Sequence, residues 1–352
     1  MIGFEGFPRD FAQRYRDEGY WKGEVLGNLL LDWAQNEPER IAIVDKNRYW
    51  SYGELNERAN RFASGLLNLG IKPGDRIVIQ MPNVASFAYV VIGMFRLGVI
   101  PVFALPSHRN LEVNYLCEYS EAVAYLSLDT FQSFDFRILA RDLCAAVNSV
   151  QHIIIDGAAQ EFISLSDIDA EPLVFPSPEP ESVAFFLLSG GTTGLPKLIP
   201  RTHDDYCYQL RACTKALKFD QDGVYLAALP VSHNAALGCP GLLGALYVGG
   251  KVVMLTTPSP DEAFPIIEKE NVTLTTLMPP LVILWLEVAE MLKPTLPNFI
   301  IQVGSARFAP ELARKVRSVL KCKLTQWFGM AEGLLTYTRL DDSDDIVDTT
   351  QG

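Results

Sequence analysis

The chain has 352 residues, of which 49% are hydrophobic and 20% charged, a balance that is ordinary for a globular enzyme with two or more packed units. Its formal net charge of −12 disfavours nucleic acid or an acidic membrane as a partner, because phosphate backbones attract basic surfaces. An anionic substrate would therefore be held by a few local cations and by backbone N–H groups.

The first 100 residues predict α/β structure without a signal peptide. Charges interrupt the N-terminal stretch, so it lacks the apolar region that a signal peptide needs. Ser51 and Glu54 form the spacing of a capping box, and Gly70 is well placed to end the helix that follows. This helix presents one apolar face, made of Leu55, Ala59, Phe62, Ala63, Leu66 and Leu67.

The rest of the chain alternates apolar strands with helical patterns, which predicts an α/β fold. The apolar window 85–105 contains Arg96, Gly98 and Pro101, so it indicates a buried helix that leads into a strand instead of a membrane span. The proline-rich segment 171–182 predicts a surface connection. The predicted strands are RIVIQM, VIPVFAL, AVAYLSL, HIIID, VAFFLL, VYLAALP, KVVMLTT, TLTTLMPP and NFIIQVGSA.

The cysteines indicate a reducing compartment. They are scattered without C-x-x-C spacing, which favours buried, reduced thiols in a cytoplasmic protein over disulfides or a zinc site. The six are Cys117, Cys144, Cys207, Cys213, Cys239 and Cys322.

A glycine-rich stretch at 187–203, LLSGGTTGLPKLIPRTH, is the strongest local signal for chemistry. Glycines let consecutive N–H groups approach phosphate oxygens, and Lys197 adds a point charge. The stretch is not a Walker A motif, because Leu195 and Pro196 separate Gly194 from the lysine. Pro196 favours a turn between strands, and a glycine hairpin without a ligand is the alternative.

SGGTTGLPK resembles the phosphate-loop signature of the adenylate-forming superfamily, which includes acyl-CoA synthetases and adenylation domains of nonribosomal peptide synthesis. VGSARFAP (303–310) resembles its adenine-binding segment, and FGMAEG (328–333) resembles its motif with a magnesium-binding glutamate. The resemblance implies the N-terminal domain of such an enzyme, with two packed α/β subdomains (1–75 plus 215–332, and 76–214). It also implies the start of a small β-barrel at 333–352 and an absent C-terminal domain.

The activity implied by the resemblance is the ATP-dependent conversion of a carboxylate to an acyl-adenylate with release of pyrophosphate. The implied catalytic residues are Lys197, His233 and Glu332, and Glu332 would also ligate Mg²⁺. The implied ATP-binding residues are Ser189, Gly190, Gly191, Thr192, Thr193, Gly194, Gly304, Ser305, Ala306, Gly329, Met330 and Ala331.

LPVSHNAALGCPG (229–241) narrows the resemblance to the aryl-acid adenylating enzymes of siderophore biosynthesis, which load salicylate or 2,3-dihydroxybenzoate onto an aryl carrier protein. In that group the asparagine at the position of Asn234 contacts the ortho-hydroxyl of the acid, so the resemblance implies this role for Asn234. The salicylate type has Cys and Leu at the positions of Cys239 and Leu335, where the dihydroxybenzoate type has Ser and Val. The implied substrate-binding residues are His233, Asn234, Ala235, Cys239, Ala306, Trp327 and Leu335.

Two positions depart from the pattern of that group and leave the substrate open. The group has Tyr at the position of Ala235 and a small aliphatic residue at that of Trp327, so another ortho-substituted acid, such as an aminobenzoate or a hydroxypicolinate, is an alternative to salicylate. Later motifs of the superfamily do not occur before Gly352, so we expect slow adenylation by this chain. Two further hypotheses are a truncated, non-catalytic protein that binds aryl acid and nucleotide, and a CoA ligase.

Overall fold

The computed structural model describes residues 4–189, 196–296 and 298–352. Its strands, in chain order, are β1 (Ile41–Asp45), β2 (Arg48–Ser51), β3 (Arg76–Gln80), β4 (Ile100–Phe103), β5 (Ala124–Leu128), β6 (Thr130–Phe131), β7 (Phe134–Asp135), β8 (His152–Asp156), β9 (Ile163–Ser164), β10 (Val183–Leu188), β11 (Leu198–Thr202), β12 (Val224–Ala227), β13 (Lys251–Met254), β14 (Leu274–Leu277), β15 (Ile300–Val303), β16 (Lys323–Gly329) and β17 (Leu335–Tyr337).

Helices alternate with these strands along most of the chain. They are α1 (Arg9–Asp17), α2 (Leu31–Asn36), α3 (Tyr52–Asn68), α4 (Ala85–Leu97), α5 (Asn110–Tyr119), α6 (Phe136–Ala146), α7 (His203–Ala216), α8 (Asn234–Gly238), α9 (Gly241–Tyr247), α10 (Pro260–Glu270), α11 (Pro279–Leu292), α12 (Pro310–Lys315) and α13 (Asp344–Thr349).

The first of two compact units contains residues 1–40, 51–82 and 86–208. Its seven-stranded sheet has the order β11-β10-β4-β3-β5-β8-β9, in which neighbouring strands are parallel except for the antiparallel pair β10 and β11. Helices α5 and α6 supply one side of the core. Its buried members include Val78, Val102, Leu116, Leu139 and Ile155.

The second unit contains residues 41–50, 83–85 and 209–352. Its eight-stranded sheet has the order β17-β16-β15-β14-β12-β13-β1-β2, and the strands from β16 to β1 are parallel. Strand β17 adds to the edge in the antiparallel direction. Buried core residues of this unit include Leu226, Val253, Phe264, Trp285 and Ile301.

This division differs from the expected one. We expected 1–75 to group with 215–332, whereas 1–40 and 51–82 belong to the first unit. Close packing explains the difference, because a Cβ on Gly93 of α4 would lie 2.7 Å from the Ala59 carbonyl oxygen of α3. Residues 333–352 belong to the second unit, so the start of a barrel subdomain stays a prediction.

Helix α3 shows how the local sequence sets an element. The Ser51 Oγ accepts from the Glu54 N–H at 3.1 Å, and the Glu54 Oε2 accepts from the Ser51 N–H at 2.8 Å, which confirms the capping box. Gly70 follows the helix with φ of 84°, a conformation that favours glycine. Five of the six predicted face residues are buried, whereas Leu67 is exposed because it lies at the edge of the face.

The other predicted strands and the connection at 171–182 also match the structure. Each predicted strand segment contains one of the strands β3, β4, β5, β8, β10, β12, β13, β14 and β15. Segment 171–182 has no helix or strand, and Val174 is fully exposed. Within the described ranges, no helix has the length and apolar character needed to cross a membrane.

Candidate active site

The predicted phosphate loop connects β10 to β11 in the first unit. These strands form a hairpin in which Leu188 pairs with Leu198. At its open end the Ser189 N–H donates to the Lys197 carbonyl at 3.0 Å, and the Lys197 N–H donates to Ser189 Oγ at 3.4 Å. The strands on both sides of the predicted loop therefore pair with each other, and Lys197 lies exposed directly before β11.

Most of the predicted loop cannot be placed. Gly190, Gly191, Thr192, Thr193 and Gly194 lie outside the described residues. The Lys197 ammonium group forms no ion pair with a carboxylate in the described ranges, so its charge is not neutralised by any of them.

Buried polar residues hold the chain where it leaves this hairpin. His203, the first residue of α7, accepts from the Leu26 N–H through Nδ1 at 3.2 Å. Burial lowers the pKa of this imidazole to about 4. Arg201, which is also buried, donates to the Asp205 carboxylate at 2.5 and 2.8 Å. A neutral histidine and a paired arginine therefore fix the junction of β11 and α7.

The other predicted site segments all lie in the second unit, directly after parallel strands. The segment 228–241 follows β12, Gly304 to Ala306 follow β15, and Met330 to Glu332 follow β16. Carboxyl ends of parallel strands are where α/β proteins commonly bind ligands. The sheet therefore brings these three segments to one edge of the second unit.

Asn83 anchors the first of these segments. Its Nδ2 donates to the carbonyls of Ala227, Leu229 and Leu255 at 2.7, 2.9 and 3.1 Å. Its Oδ1 accepts from the Val231 N–H at 2.9 Å. One buried amide thus contacts four backbone groups where the chain leaves β12 toward α8, with its two N–H hydrogens shared among three carbonyls.

Helix α8 starts at the predicted His-Asn pair. His233 caps the helix, since its Nδ1 accepts from the Ala235 N–H at 3.2 Å. Desolvation lowers the pKa of the His233 imidazole below its ordinary value, although the residue as a whole is exposed. Because Nδ1 accepts a hydrogen bond, the remaining donor of the neutral ring is Nε2–H.

A buried glutamine joins two predicted substrate-binding residues. The Gln209 Nε2 donates to the Gly238 carbonyl at 2.9 Å and to the Asn234 Oδ1 at 3.3 Å. Its distance to the Cys239 Sγ is 3.6 Å. All three side chains are buried, so Asn234 and Cys239 lie on one polar wall whose orientation Gln209 sets. We call Gln209, Asn234 and Cys239 the amide wall.

A small apolar cluster contains three further predicted residues. Ala235 of α8 and Trp327 of β16 are buried in it, and Leu335 of β17 packs against it. Leu229, Ala236, Leu281 and Tyr337 complete the cluster. The small residue at 235 and the large one at 327, which depart from the aryl-acid pattern, are thus neighbours in one cluster. We call it the tryptophan cluster.

The Trp327 indole lies directly on Gly304. A Cβ on Gly304 would lie 2.3 Å from both Cε2 and Nε1 of the indole, which no side chain could accept without a shift. A Cβ on Gly329 would likewise lie 2.7 Å from the ring and 2.4 Å from Leu335 Cδ2. Both predicted nucleotide-binding glycines therefore have a packing role against Trp327.

A tight turn between β16 and β17 presents Glu332. The Met330 N–H donates to the Leu334 carbonyl, and the Gly333 N–H donates to the Met330 carbonyl, both at 3.1 Å. The Glu332 carboxylate is exposed at this turn and forms no ion pair with a cation of the described residues. A hard oxygen donor in this state suits Mg²⁺.

The segment after β15 is tied to β16. Ser305 and Ala306 are exposed, and Ser305 adopts φ of 68°, a left-handed conformation that costs about 1 kcal/mol for a non-glycine residue. The Gln351 Nε2 donates to the carbonyls of Ala306 and Trp327 at 3.3 and 3.1 Å. One side chain thus holds two of the predicted site segments together.

Comparison with known proteins assigns the family. A family model described as AMP-binding enzyme matches residues 30–352. The chain belongs to the AMP-binding enzyme family.

Two curated proteins and one solved structure are similar to this AMP-binding chain over nearly its whole length. It is 50% identical to the 2,3-dihydroxybenzoate-AMP ligase of Bacillus subtilis over 353 residues, which cover 100% of this chain and 66% of that protein. It is 43% identical to the salicyl-AMP ligase / salicyl-S-ArCP synthetase of Mycobacterium tuberculosis over 360 residues, with coverage of 99% and 64%. The chain thus spans about two thirds of the length of these relatives.

The fold of the AMP-binding domain is also shared with a solved structure. The apo structure of MbtA from Mycobacterium smegmatis superimposes with a TM-score of 0.93 at 43% identity, covering 99% of this chain and 65% of that one. The predicted resemblance to the adenylate-forming superfamily and its N-terminal α/β fold are therefore confirmed.

Three residues of this AMP-binding domain were missed by sequence reasoning. Asn83, Gln209 and Gln351 each hold two or more backbone or side-chain groups of the predicted site segments. They lie far from these segments in sequence, in stretches with no motif of their own. Only the positions of strands and helices in space reveal their role.

Proposed function

We propose that this chain carries the acid- and nucleotide-binding part of an enzyme that activates an ortho-hydroxylated aromatic acid as its AMP ester. Salicylate is the favoured substrate over 2,3-dihydroxybenzoate. The activated acid would be transferred to the phosphopantetheine thiol of an aryl carrier protein in siderophore biosynthesis, a nonribosomal peptide pathway. The names of the relatives support this class of reaction.

The observation that carries the proposal is the amide wall. Because Gln209 donates to the Asn234 Oδ1, the Asn234 Nδ2 is the group that would meet the oxygen of an ortho-hydroxyl. Orienting a buried amide through a second buried amide gives a site that recognises a hydroxyl, and an acid without that hydroxyl would forfeit the hydrogen bond.

The preference for salicylate rests on Cys239. The thiol is fully buried beside Gln209 and is a weak hydrogen-bond donor, so a 3-hydroxyl next to it would lose its water partners without a good replacement. Such a loss is worth roughly 1–3 kcal/mol. Leu335 packs against the tryptophan cluster, and its bulk there would also favour a ring without a 3-hydroxyl.

The reaction forms one bond and breaks one bond at the α-phosphorus of ATP. A carboxylate oxygen of the acid attacks this phosphorus in line, and the bond to the β-phosphate oxygen breaks to release pyrophosphate. Both reactants are anions, so cations must offset their repulsion. Lys197 would supply such a charge to the phosphates, together with Ser189 Oγ and the backbone of the glycine loop.

Glu332 would hold Mg²⁺, and the exposed and unpaired state of its carboxylate among the described residues fits that role. When bound, the ion would offset phosphate charge. Gly304, Ser305 and Ala306, with Gly329, Met330 and Ala331, would contact the nucleotide, and His233 would present its Nε2–H toward the acid. We place the reaction in the cytoplasm, where ATP and reduced thiols are available.

Calorimetric titration of the chain with three acyl-sulfamoyl adenosines tests the proposal. The salicyl, 2,3-dihydroxybenzoyl and benzoyl compounds carry acid and nucleotide together and differ only in ring hydroxyls. We expect the salicyl compound to bind at least about tenfold more tightly than the other two. Equal binding by all three would contradict the substrate assignment, and no binding by any would contradict the proposed function.

The same titration with Gln209→Leu tests the amide wall. The substituted leucine side chain keeps most of the volume but removes the donor to Asn234, so the preference for salicyl over benzoyl should fall. Binding of the benzoyl compound should change little. If Gln209→Leu still prefers the salicyl compound over the benzoyl compound, the amide wall does not recognise the ortho-hydroxyl.

A further inference from the structure

Trp327 carries a buried hydrogen-bond donor that has no partner among the described residues. The side chain is 3% exposed, and its Nε1–H makes no hydrogen bond to any group of the described residues. Indole N–H groups that are buried normally find an acceptor, because leaving one unpaired costs free energy. An unpaired donor in this position therefore indicates a partner outside the described residues, such as a bound ligand.

The position of this donor is within the candidate site. The Nε1 edge of the indole lies on the backbone of Gly304, the first residue after the carboxyl end of β15. Ala235, the residue directly after Asn234, lies with Trp327 in the tryptophan cluster. The donor therefore belongs to the group of residues proposed to surround the acid.

The apolar side chains that pack around Trp327 favour one kind of ligand atom as the partner of its N–H. Leu229, Ala235, Ala236, Leu281 and Leu335 are apolar and offer no acceptor. Tyr337, the remaining polar member, donates its hydroxyl to the Cys213 Sγ at 3.1 Å. A ligand hydroxyl in this cluster would bring a proton that needs an acceptor of its own, whereas a ring nitrogen brings only a lone pair.

Trp285 in the same unit shows the ordinary arrangement. It is fully buried, and its Nε1–H donates to the Pro258 carbonyl at 2.9 Å. Both tryptophans thus lie in the second unit with similar burial, but only one has its N–H satisfied by the described protein. This contrast supplies a matched control.

We propose that the Trp327 N–H donates a hydrogen bond to a ring nitrogen of the bound acid, so that this chain prefers a pyridine-type heteroaromatic acid. The inference rests on the proposed function and narrows its substrate class. An ortho-hydroxyl for Asn234 and a ring nitrogen for Trp327 can be present in one molecule, as in a hydroxypyridine carboxylate.

The test compares four acyl-sulfamoyl adenosines by calorimetry: benzoyl, picolinoyl, nicotinoyl and isonicotinoyl. The last three each replace one ring CH of benzoyl with nitrogen and together sample every ring position. We expect one of them to bind the wild-type chain at least about tenfold more tightly than benzoyl, because it satisfies a donor that benzoyl leaves unpaired. The other isomers should bind no better than benzoyl, since their nitrogen would lose water without gaining a partner.

Two variants separate the effect of the Trp327 N–H from the effect of its ring volume. Trp327→Phe keeps an aromatic ring but removes the N–H, so the advantage of the nitrogen isomer should vanish while benzoyl still binds. Trp285→Phe removes a satisfied N–H elsewhere and should keep the advantage. Loss of thermal stability in either variant can be measured separately by unfolding.

The outcomes distinguish the two levels of the assignment. If the salicyl compound binds but no nitrogen isomer exceeds benzoyl, the heteroaromatic inference is wrong and the proposed function stands. An advantage that persists in Trp327→Phe also overturns the inference. If no acyl-sulfamoyl adenosine binds, both the inference and the proposed function fall.

Discussion

The hairpin end in the first unit and the strand ends in the second unit differ in exposure, charge and the way their side chains are held. At the hairpin end, Lys197 is exposed and no described carboxylate neutralises it. At the strand ends, Asn234, Cys239 and Trp327 are buried and held by neighbours from distant parts of the chain. The first region offers charge and backbone, and the second offers shape and a few oriented polar atoms.

This difference matches the two kinds of ligand that are proposed. A phosphate chain is highly charged, so a cation on a hydrated turn attracts it without a shaped cavity. An aromatic ring has little charge, so discrimination between aromatic acids must come from packing and from oriented hydrogen-bond donors on buried side chains. Substitutions in the first region should therefore change nucleotide affinity, and those in the second should change the choice of acid.

The largest expected effect is that of Lys197→Ala on ATP. Removal of a charged donor should weaken ATP binding about a hundredfold. Binding of salicylate alone should change little, and titration calorimetry with each ligand checks both statements. Lys197→Arg should restore part of the affinity, and Lys323→Ala, at the opposite strand end of β16, should not alter it. An equal loss for salicylate would remove the contrast between the regions.

His203 should make the stability of the first unit depend on pH. Its folded pKa of about 4 lies below its usual value, so between about pH 6.5 and pH 4 the unfolded chain binds a proton that the folded chain does not. The free energy of unfolding should therefore fall as pH decreases through this interval, by up to about 3 kcal/mol.

Urea unfolding from about pH 7 to about pH 4.5 measures this dependence. His203→Gln can still accept from Leu26 but cannot be protonated, so its curve should be flatter than that of the wild type. His152→Gln is the matched control and should retain the wild-type slope. Parallel curves for wild type and His203→Gln would show that burial of this imidazole is not the cause.

Gly304→Ala tests the packing of the second region. The new Cβ would lie 2.3 Å from the Trp327 ring, so the indole must move. Overpacking of this kind should lower the free energy of unfolding by about 2 kcal/mol. In a double-mutant cycle, Trp327→Ala should relieve most of that penalty, and strictly additive losses would show that the two residues do not collide.

The smallest expected effect is a change of preference in Cys239→Ser. A serine hydroxyl can pair with a 3-hydroxyl, so the ratio of 2,3-dihydroxybenzoyl to salicyl affinity should rise about tenfold. Competitive titration with the two acyl-sulfamoyl adenosines measures this ratio. Cys117→Ser, in the core of the first unit, should leave it unchanged. An unchanged ratio in Cys239→Ser would mean that residue 239 does not face the ring.

Sequence reasoning succeeded where interactions are local. The cap of α3 depends on residues three apart, and the hairpin around the glycine loop depends on one short stretch, so both could be predicted from neighbouring letters. Strands β1, β2, β6, β7, β9, β16 and β17 were not predicted, because the strand conformation of a segment depends strongly on its partners elsewhere in the sheet. The division of the chain into two units likewise depends on contacts between residues that are distant in sequence.

The sequence by itself determined the family, the α/β alternation and the residue types at the candidate site, because motifs and periodicities are encoded in adjacent residues. Tertiary structure alone decided that Gln209 joins Asn234 to Cys239 and that the Trp327 indole lies on Gly304 without a partner for its N–H among the described residues. These contacts join residues that are more than 20 positions apart. Their pairing depends on the order of strands in the sheet and on exclusion of water, neither of which is written in any single stretch of the chain.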